Sequence, residues 1–94
     1  MFTLIYFNDS FNRPDTLEFF IQSNMGKNPL LRIDCLTPYK GSEQDIIKDV
    51  CCFLSNICSD IDVNYNVTQN VSTEEKDGYS FVNFLVIQLN IKAK

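Results

Sequence analysis

Histidine is absent from this 94-residue chain, so its four cysteines are the main candidates for nucleophilic or metal-binding chemistry. Three of them, Cys51, Cys52 and Cys58, fall within one octapeptide, CCFLSNIC; the fourth is Cys35. Structural zinc needs thiolates about 2.3 Å from one ion, usually supplied by closely spaced cysteine pairs. The octapeptide instead carries a helical pattern. On a helix, Cys51 and Cys58 share a face but are separated by roughly 10 Å of rise, and Cys51 and Cys52 diverge by about 100°. Neither pair chelates comfortably. An activated thiol needs a helix N-terminus or a neighbouring cation to lower its pKa, and Cys51 and Cys52 sit more than two turns inside the predicted helix. Cys51 and Cys58 therefore read as small apolar residues of a core. Cys52 lies off the apolar stripe and is the candidate exposed thiol. Cys35 faces inward from a strand.

Carboxylates are the other groups with chemical potential. Asp9 lies close to Asp15 in sequence, and Glu74 and Glu75 close to Asp77. All fall in polar loops, where carboxylates stay ionised and make poor general acids. Without histidine there is no Ser-His-Asp or Cys-His arrangement. The three glycines, Gly26, Gly41 and Gly78, fall in separate turns and form no phosphate-cradling loop. The expectation is a protein that is not an enzyme, with no catalytic residue, no metal and no cofactor.

The elements that position these residues follow from periodicity. FTLIYF, residues 2–7, is apolar on both faces and predicts a central strand covered on two sides. NDSFNRPD is a polar loop. Residues 14–25 fit two patterns. As a helix, Pro14 takes the first position, Gly26 follows the end, and Leu17, Phe20 and Ile21 share a face. As a strand, Leu17, Phe19 and Ile21 point one way, NMGKNP is a hairpin loop, and LLRIDCLT returns with Leu31, Ile33 and Cys35 inward. The β-propensity of Phe19-Phe20-Ile21 favours the hairpin.

The clearest element is a helix over residues 42–59. Ser42 is an N-cap, and Glu43 and Asp45 occupy the first turn, where the helix dipole favours acids. Asp45 stands three residues after Ser42, as in a shortened capping box. Ile46, Ile47, Val50, Cys51, Leu54, Ile57, Cys58 and Ile61 form one wide stripe. Beyond it, Val63, Tyr65 and Val67 alternate with polar residues as a half-exposed strand. TEEKDG reads as a turn, and residues 79–94 as a long closing strand. In its middle, Val82, Phe84 and Val86 oppose Phe81, Leu85 and Ile87. The fold predicted is α+β with two layers: a mainly antiparallel sheet of four or five strands packed on one main helix, in a single domain spanning 1–94.

Composition narrows the function classes. The chain is 45% hydrophobic with eight Phe and four Tyr, which suits a globular core. No apolar run approaches the ~20 residues that span a bilayer, and MFTLIYFND reads as a strand rather than a signal peptide. The expected location is cytoplasmic, in a bacterial cell or a virus-infected host cell, with free thiols and unused sequons at Asn8, Asn66 and Asn70. Net charge is −4 and the eight Lys and Arg residues form no tract, so direct nucleic-acid binding is not expected. What remains is surface. The favoured reading is a small inhibitor that blocks a partner protein stoichiometrically, as toxin-immunity and phage anti-defence (anti-CRISPR type) proteins do. Glu74, Glu75 and Asp77 would dock on a basic groove, flanked by Tyr39 and Tyr79. The alternative is a homodimeric structural or assembly subunit joined through its sheet. A third reading is an enzyme or ligand-binding protein that uses Cys52 or a carboxylate.

Overall fold

A computed structural model describes all 94 residues. Strand β1 (Phe2–Phe7) turns into a two-residue strand β2 (Ser10–Phe11), followed by helix α1 (Leu17–Ser23). Strand β3 (Leu30–Lys40) leads to helix α2 (Glu43–Ile57), and β4 (Ile61–Lys76) and β5 (Tyr79–Ala93) close the chain. The five strands form one open sheet in the order β2-β1-β3-β5-β4. Only the β1–β3 pair is parallel. The sheet is thus mostly antiparallel, it is not closed, and it packs against α2, giving a compact α+β fold.

The parallel pair explains why residues 17–23 form a helix and not the first arm of a hairpin, which corrects the expectation from β-propensity. Two neighbouring parallel strands need a crossover, and a helix lying on the sheet supplies it. Leu17 and Ile21, one turn apart, are fully buried in the core. Phe20 stacks on Phe2 with ring centroids 4.5 Å apart. Phe19 alone is left outside, 72% exposed. Tertiary docking thus overrides local preference. The helix exit is tied down by backbone bonds from Gly26 N to Ile91 O (2.6 Å) and from Ile91 N to Lys27 O (3.2 Å).

Ser42 caps α2 by accepting from the Gln44 amide at 3.2 Å. Asp45 does not reach back to complete a capping box; its carboxylate accepts from the Tyr39 hydroxyl at 3.1 Å instead. Ile46, Ile47, Val50 and Leu54 form the buried stripe. Cys51 is only half-buried at its margin, and Cys58 is buried just past the helix end as its C-cap residue. Cys35 is half-buried and also packs against the core.

Both hairpin turns are two residues long and left-handed. Asn8 and Asp9 have φ of 50° and 59°, and Asp77 and Gly78 have φ of 54° and 80°. Such turns match the natural twist of the strands they join. They also revise two sequence boundaries. NDSFNRPD is not all loop, because Ser10 and Phe11 pair with Phe7 and Tyr6. TEEKDG is not all turn, because β4 runs on to Lys76, opposite Tyr79.

Bulges change which side chains share a face. Tyr65 pairs with Leu89 and Val67 with Gln88, so the register shifts between them and Val67 turns away from the core. In β5, Val82 and Phe84 pair with consecutive β4 residues, Thr73 and Ser72, leaving Asn83 extra. Val82, Leu85, Ile87, Leu89 and Ile91 consequently face the helices, all 0% exposed. Phe81, Phe84 and Val86 face away. Plain alternation had grouped Val82 with Phe84 and Val86.

Gly41 is the one glycine under steric constraint. Its φ is +145°, and an added Cβ would lie 2.8 Å from the Tyr39 ring. Gly41→Ala is expected to destabilise the fold by about 1–3 kcal/mol and to push Tyr39 off Asp45. Urea melts and the intensity of tyrosine fluorescence check both effects. Unchanged values would show that this turn is relaxed.

Candidate functional site

Three acidic side chains, one from the β1–β2 turn and two from α2, gather around two tyrosines. Tyr6 lies on β1, on the helix-facing side, and only 4% of it is exposed. Its hydroxyl stands 3.2 Å from an Asp9 carboxylate oxygen and 3.2 Å from one of Asp49. Asp9 is held there by its left-handed turn, and Asp49 projects from α2. One turn earlier on α2, Asp45 accepts from Tyr39 at 3.1 Å. The two rings meet edge to face with centroids 5.6 Å apart. A cavity of about 260 Å³ opens beside them, lined by Tyr6, Asp9, Tyr39, Lys40 and intervening residues.

The electrostatics of this cluster are one-sided. Asp45 and Asp49 are four apart on α2, where like charges repel. Each is partly offset by a tyrosine hydroxyl rather than by a cation. The chain has a single ion pair, Arg32 with Asp34 at 2.8 Å. A phenol has one proton, so Tyr6 donates to Asp9 or to Asp49 at any moment and leaves accepting capacity on the other. Burial, followed by these acidic neighbours, pushes the Tyr6 hydroxyl far above the ordinary tyrosine range. Burial first and then Asp45, with Asp9 and Asp49 behind it, raises Tyr39 in the same direction. The cluster can accept hydrogen bonds and attract positive charge. Its phenols are held protonated, which is unsuited to nucleophilic attack or proton abstraction.

The thiols point the same way. Desolvation raises Cys51 to about 11 and lifts Cys35 and Cys58 as well. Activation of a cysteine nucleophile requires the opposite direction. Cys52 is exposed, and its sulfur accepts from the Asn56 amide at 3.7 Å. No group of three or more Cys, Asp or Glu side chains has the arrangement of a metal site.

The residues singled out at the closing hairpin are divided between two sides of the sheet. Glu74 lies opposite Phe81 and Glu75 opposite Ser80, so the two glutamates point to opposite faces. Tyr79 pairs with Lys76, and the Lys40 ammonium sits over its ring at 3.6 Å from the centroid. Asp77 occupies the turn. Tyr39 pairs with Val82 and belongs to the helix side, within the acidic cluster. The structure therefore separates Tyr39 from Tyr79 and joins it to Tyr6, Asp9, Asp45 and Asp49, none of which the sequence reading had chosen for a binding role. The four-residue spacing of Asp45 and Asp49 was a legible signal. The approach of β1 and its turn to α2 was not.

The opposite face of the sheet has no cover. Both helices pack on one side, in a single cluster of 19 buried residues. Thr3, Ile5 and Phe7 of β1 are exposed on the other side, which corrects the expectation of a strand covered on two faces. Arg32 lies 4.0 Å over the Phe84 ring there. Val86 is buried at 8% exposure yet stands outside the core cluster.

No protein-family model, no curated protein and no solved structure matches the chain. The class defined by fold and site is an α+β protein with a one-sided open sheet and an acidic, tyrosine-lined surface on its helix side. No helix is long and apolar enough to cross a membrane.

Proposed function

We propose that the protein is a small non-enzymatic inhibitor that binds a partner protein stoichiometrically and blocks it sterically, in the manner of toxin-immunity or phage anti-defence proteins. It acts in the cytoplasm of a bacterial cell or a virus-infected host cell. The observation that carries this reading is the gathering of Asp9, Asp45 and Asp49 around Tyr6 and Tyr39 with no Lys or Arg paired to any of them. A basic groove on the partner supplies the missing cations. Complementary charge sets partner choice and speeds encounter, and tyrosines are favoured at the energetic centres of interfaces. The upward shifts of thiols and phenols support a non-catalytic role. The hairpin tip, with Glu75 on the helix side and Asp77 at its end, extends the same acidic surface.

The test is recovery of the tagged full chain from its native host, beside an Asp45→Lys/Asp49→Lys variant whose far-ultraviolet circular dichroism matches. Wild type is expected to retain one partner at about equimolar ratio, released by salt. The variant is expected to lose at least 90% of it. Reversal of Glu74, Glu75 and Asp77 is expected to weaken retention less. Equal retention by wild type and the α2 variant, or no stoichiometric partner, overturns the proposal.

A further inference from the structure

We infer that the open face of the sheet binds a second copy of this chain, giving a two-fold dimer in which two sheets pack face to face. The surface is distinct from the acidic helix side.

Three observations point to a second copy. The first is charge. On the helix side, copies of this acidic protein repel one another, because Asp9, Asp45 and Asp49 carry no counter-ion. The open face instead carries both signs: Arg32 and Asp34 are ion-paired at 2.8 Å at its middle, two residues apart on β3, the middle strand of the five, and Lys40 and Glu74 flank Phe81 toward one end. A two-fold interface is self-complementary: what residue i meets on the partner, the partner's i meets in return. An axis passing between these residues sets each guanidinium against the carboxylate of the other copy. The central charges are then neutral as a set of four. Because the pair is already neutral within each chain, a second copy brings no net charge to this centre, whereas a strongly acidic or basic partner would.

The second observation is the apolar frame around that pair. Ile5, Leu30 and Val67 are each more than a third exposed, and register places them on this face opposite Asp34, Gln88 and Gln88 respectively. Phe84 lies under Arg32, and Val86 pairs with Arg32 across the strands. Sheets pack about 10 Å apart through such side chains. A chain measuring 43 × 23 × 20 Å has a broad side large enough for the roughly 800 Å² per partner of a standard interface.

The third observation is that the sheet edges are poorly suited to strand addition. One edge is short: the two-residue strand β2 pairs with Tyr6 and Phe7, and Asn12 bonds to Ile5 in both directions, so that only residues 2–4 of β1 are uncovered. The other, β4, is long but interrupted by register shifts at Tyr65/Val67, Thr68/Asn70 and Ser72/Thr73. Short edges and bulges are what prevent edge-to-edge pairing. Face-to-face packing is the route left to the sheet.

The reciprocal ion pair gives a test that a foreign partner would not pass. Wild type is expected to sediment at twice the 10.9 kDa chain mass. Arg32→Asp gives a chain with two carboxylates at the centre, and Asp34→Arg one with two guanidiniums. Each alone is expected to dimerise about 30-fold more weakly or worse, since mismatched buried charges cost at least about 2 kcal/mol. Mixed in equal amounts, the two are expected to recover dimers containing one chain of each, distinguishable by mass with one chain isotope-labelled. Circular dichroism of each variant excludes unfolding as the cause. Three results would overturn the inference: wild type that stays monomeric at 0.5 mM, a dimer indifferent to both substitutions, or weakened variants that fail to re-pair on mixing.

Discussion

Leu54→Ala is expected to destabilise the protein by about 2–5 kcal/mol, the range for a buried leucine truncated in a rigid core. Leu54 is 0% exposed and is the last of the four buried residues that α2 turns to the sheet. The buried cluster to which it belongs draws on both layers and includes Val50, Ile61 and Val63. Held by strands on one side and the helix on the other, they relax little into the space left behind. A chain of 94 residues has a total stability of roughly 5–14 kcal/mol at about 0.05–0.15 kcal/mol per residue. The loss is therefore a large fraction of the whole. It corresponds to a fall in Tm of about 10–30 °C for a domain of this size. Cys51→Ala, at the margin of the same stripe and only half-buried, is expected to cost less than about 1.5 kcal/mol. Urea denaturation of both variants checks the order. A Leu54→Ala protein as stable as wild type would mean that α2 does not pack on the sheet as described.

The second large effect concerns the four thiols. A maleimide or disulfide reagent at pH 8 is expected to modify one cysteine, Cys52, rapidly, Cys51 on the order of 100-fold more slowly, and Cys35 and Cys58 more slowly than Cys52. The thiolate is the reacting form. With its pKa raised to about 11 by burial, Cys51 has about one thiolate per thousand molecules at pH 8, against roughly one in four for an unperturbed thiol of pKa ~8.5. Cys58 is buried and Cys35 half-buried, and desolvation raises both. Cys52 is exposed. Cys52→Ser removes the fast phase, and a second fast cysteine would contradict the shielding of Cys35, Cys51 or Cys58. The same shifts carry a stability consequence. A thiol whose folded pKa lies above its unfolded value favours the folded state below about pH 8.5 and loses that contribution as pH rises toward 11. Stability is expected to fall across this window, less steeply in Cys51→Ala.

Much of the architecture was legible because it rests on local periodicity. The α2 stripe, its Ser42 cap and the helical spacing of the cysteines need no distant partner, and they place Cys51 and Cys58 at the core and Cys52 outside it. The β-rich runs at residues 2–7, 31–35 and 79–93 show directly in the side-chain pattern. Segments whose state depends on a neighbour were not legible. Residues 17–23 carry strand-forming aromatics, and they become helical because β1 and β3 pair in parallel and need a crossover. Tyr65, Val67, Val82 and Phe84 look strictly alternating, yet bulges in β4 and β5 rotate half of them to the other face. A bulge is a property of two paired strands, and neither strand alone reports it.

The candidate surface divides in the same manner. The sequence by itself determined which chemistry lay within reach: no histidine, thiols spaced for packing, single cations, and an acidic excess with many tyrosines. The four-residue spacing of Asp45 and Asp49 also fixes them on one helix face, though no role was read from it. Only the tertiary structure decided which of these groups meet. Tyr6 and Asp9 come to Asp49 because the β1–β2 turn folds back under α2, although Tyr6 and Asp49 are 43 positions apart in the chain. Only the tertiary structure decided that Glu74 and Glu75 part company across the hairpin, and that both helices share one side of the sheet. The physical reason is range. Periodicity, capping and charge count act within a few residues and are written in the chain, whereas packing partners, bulges and the choice of covered face follow from which distant surfaces bury each other.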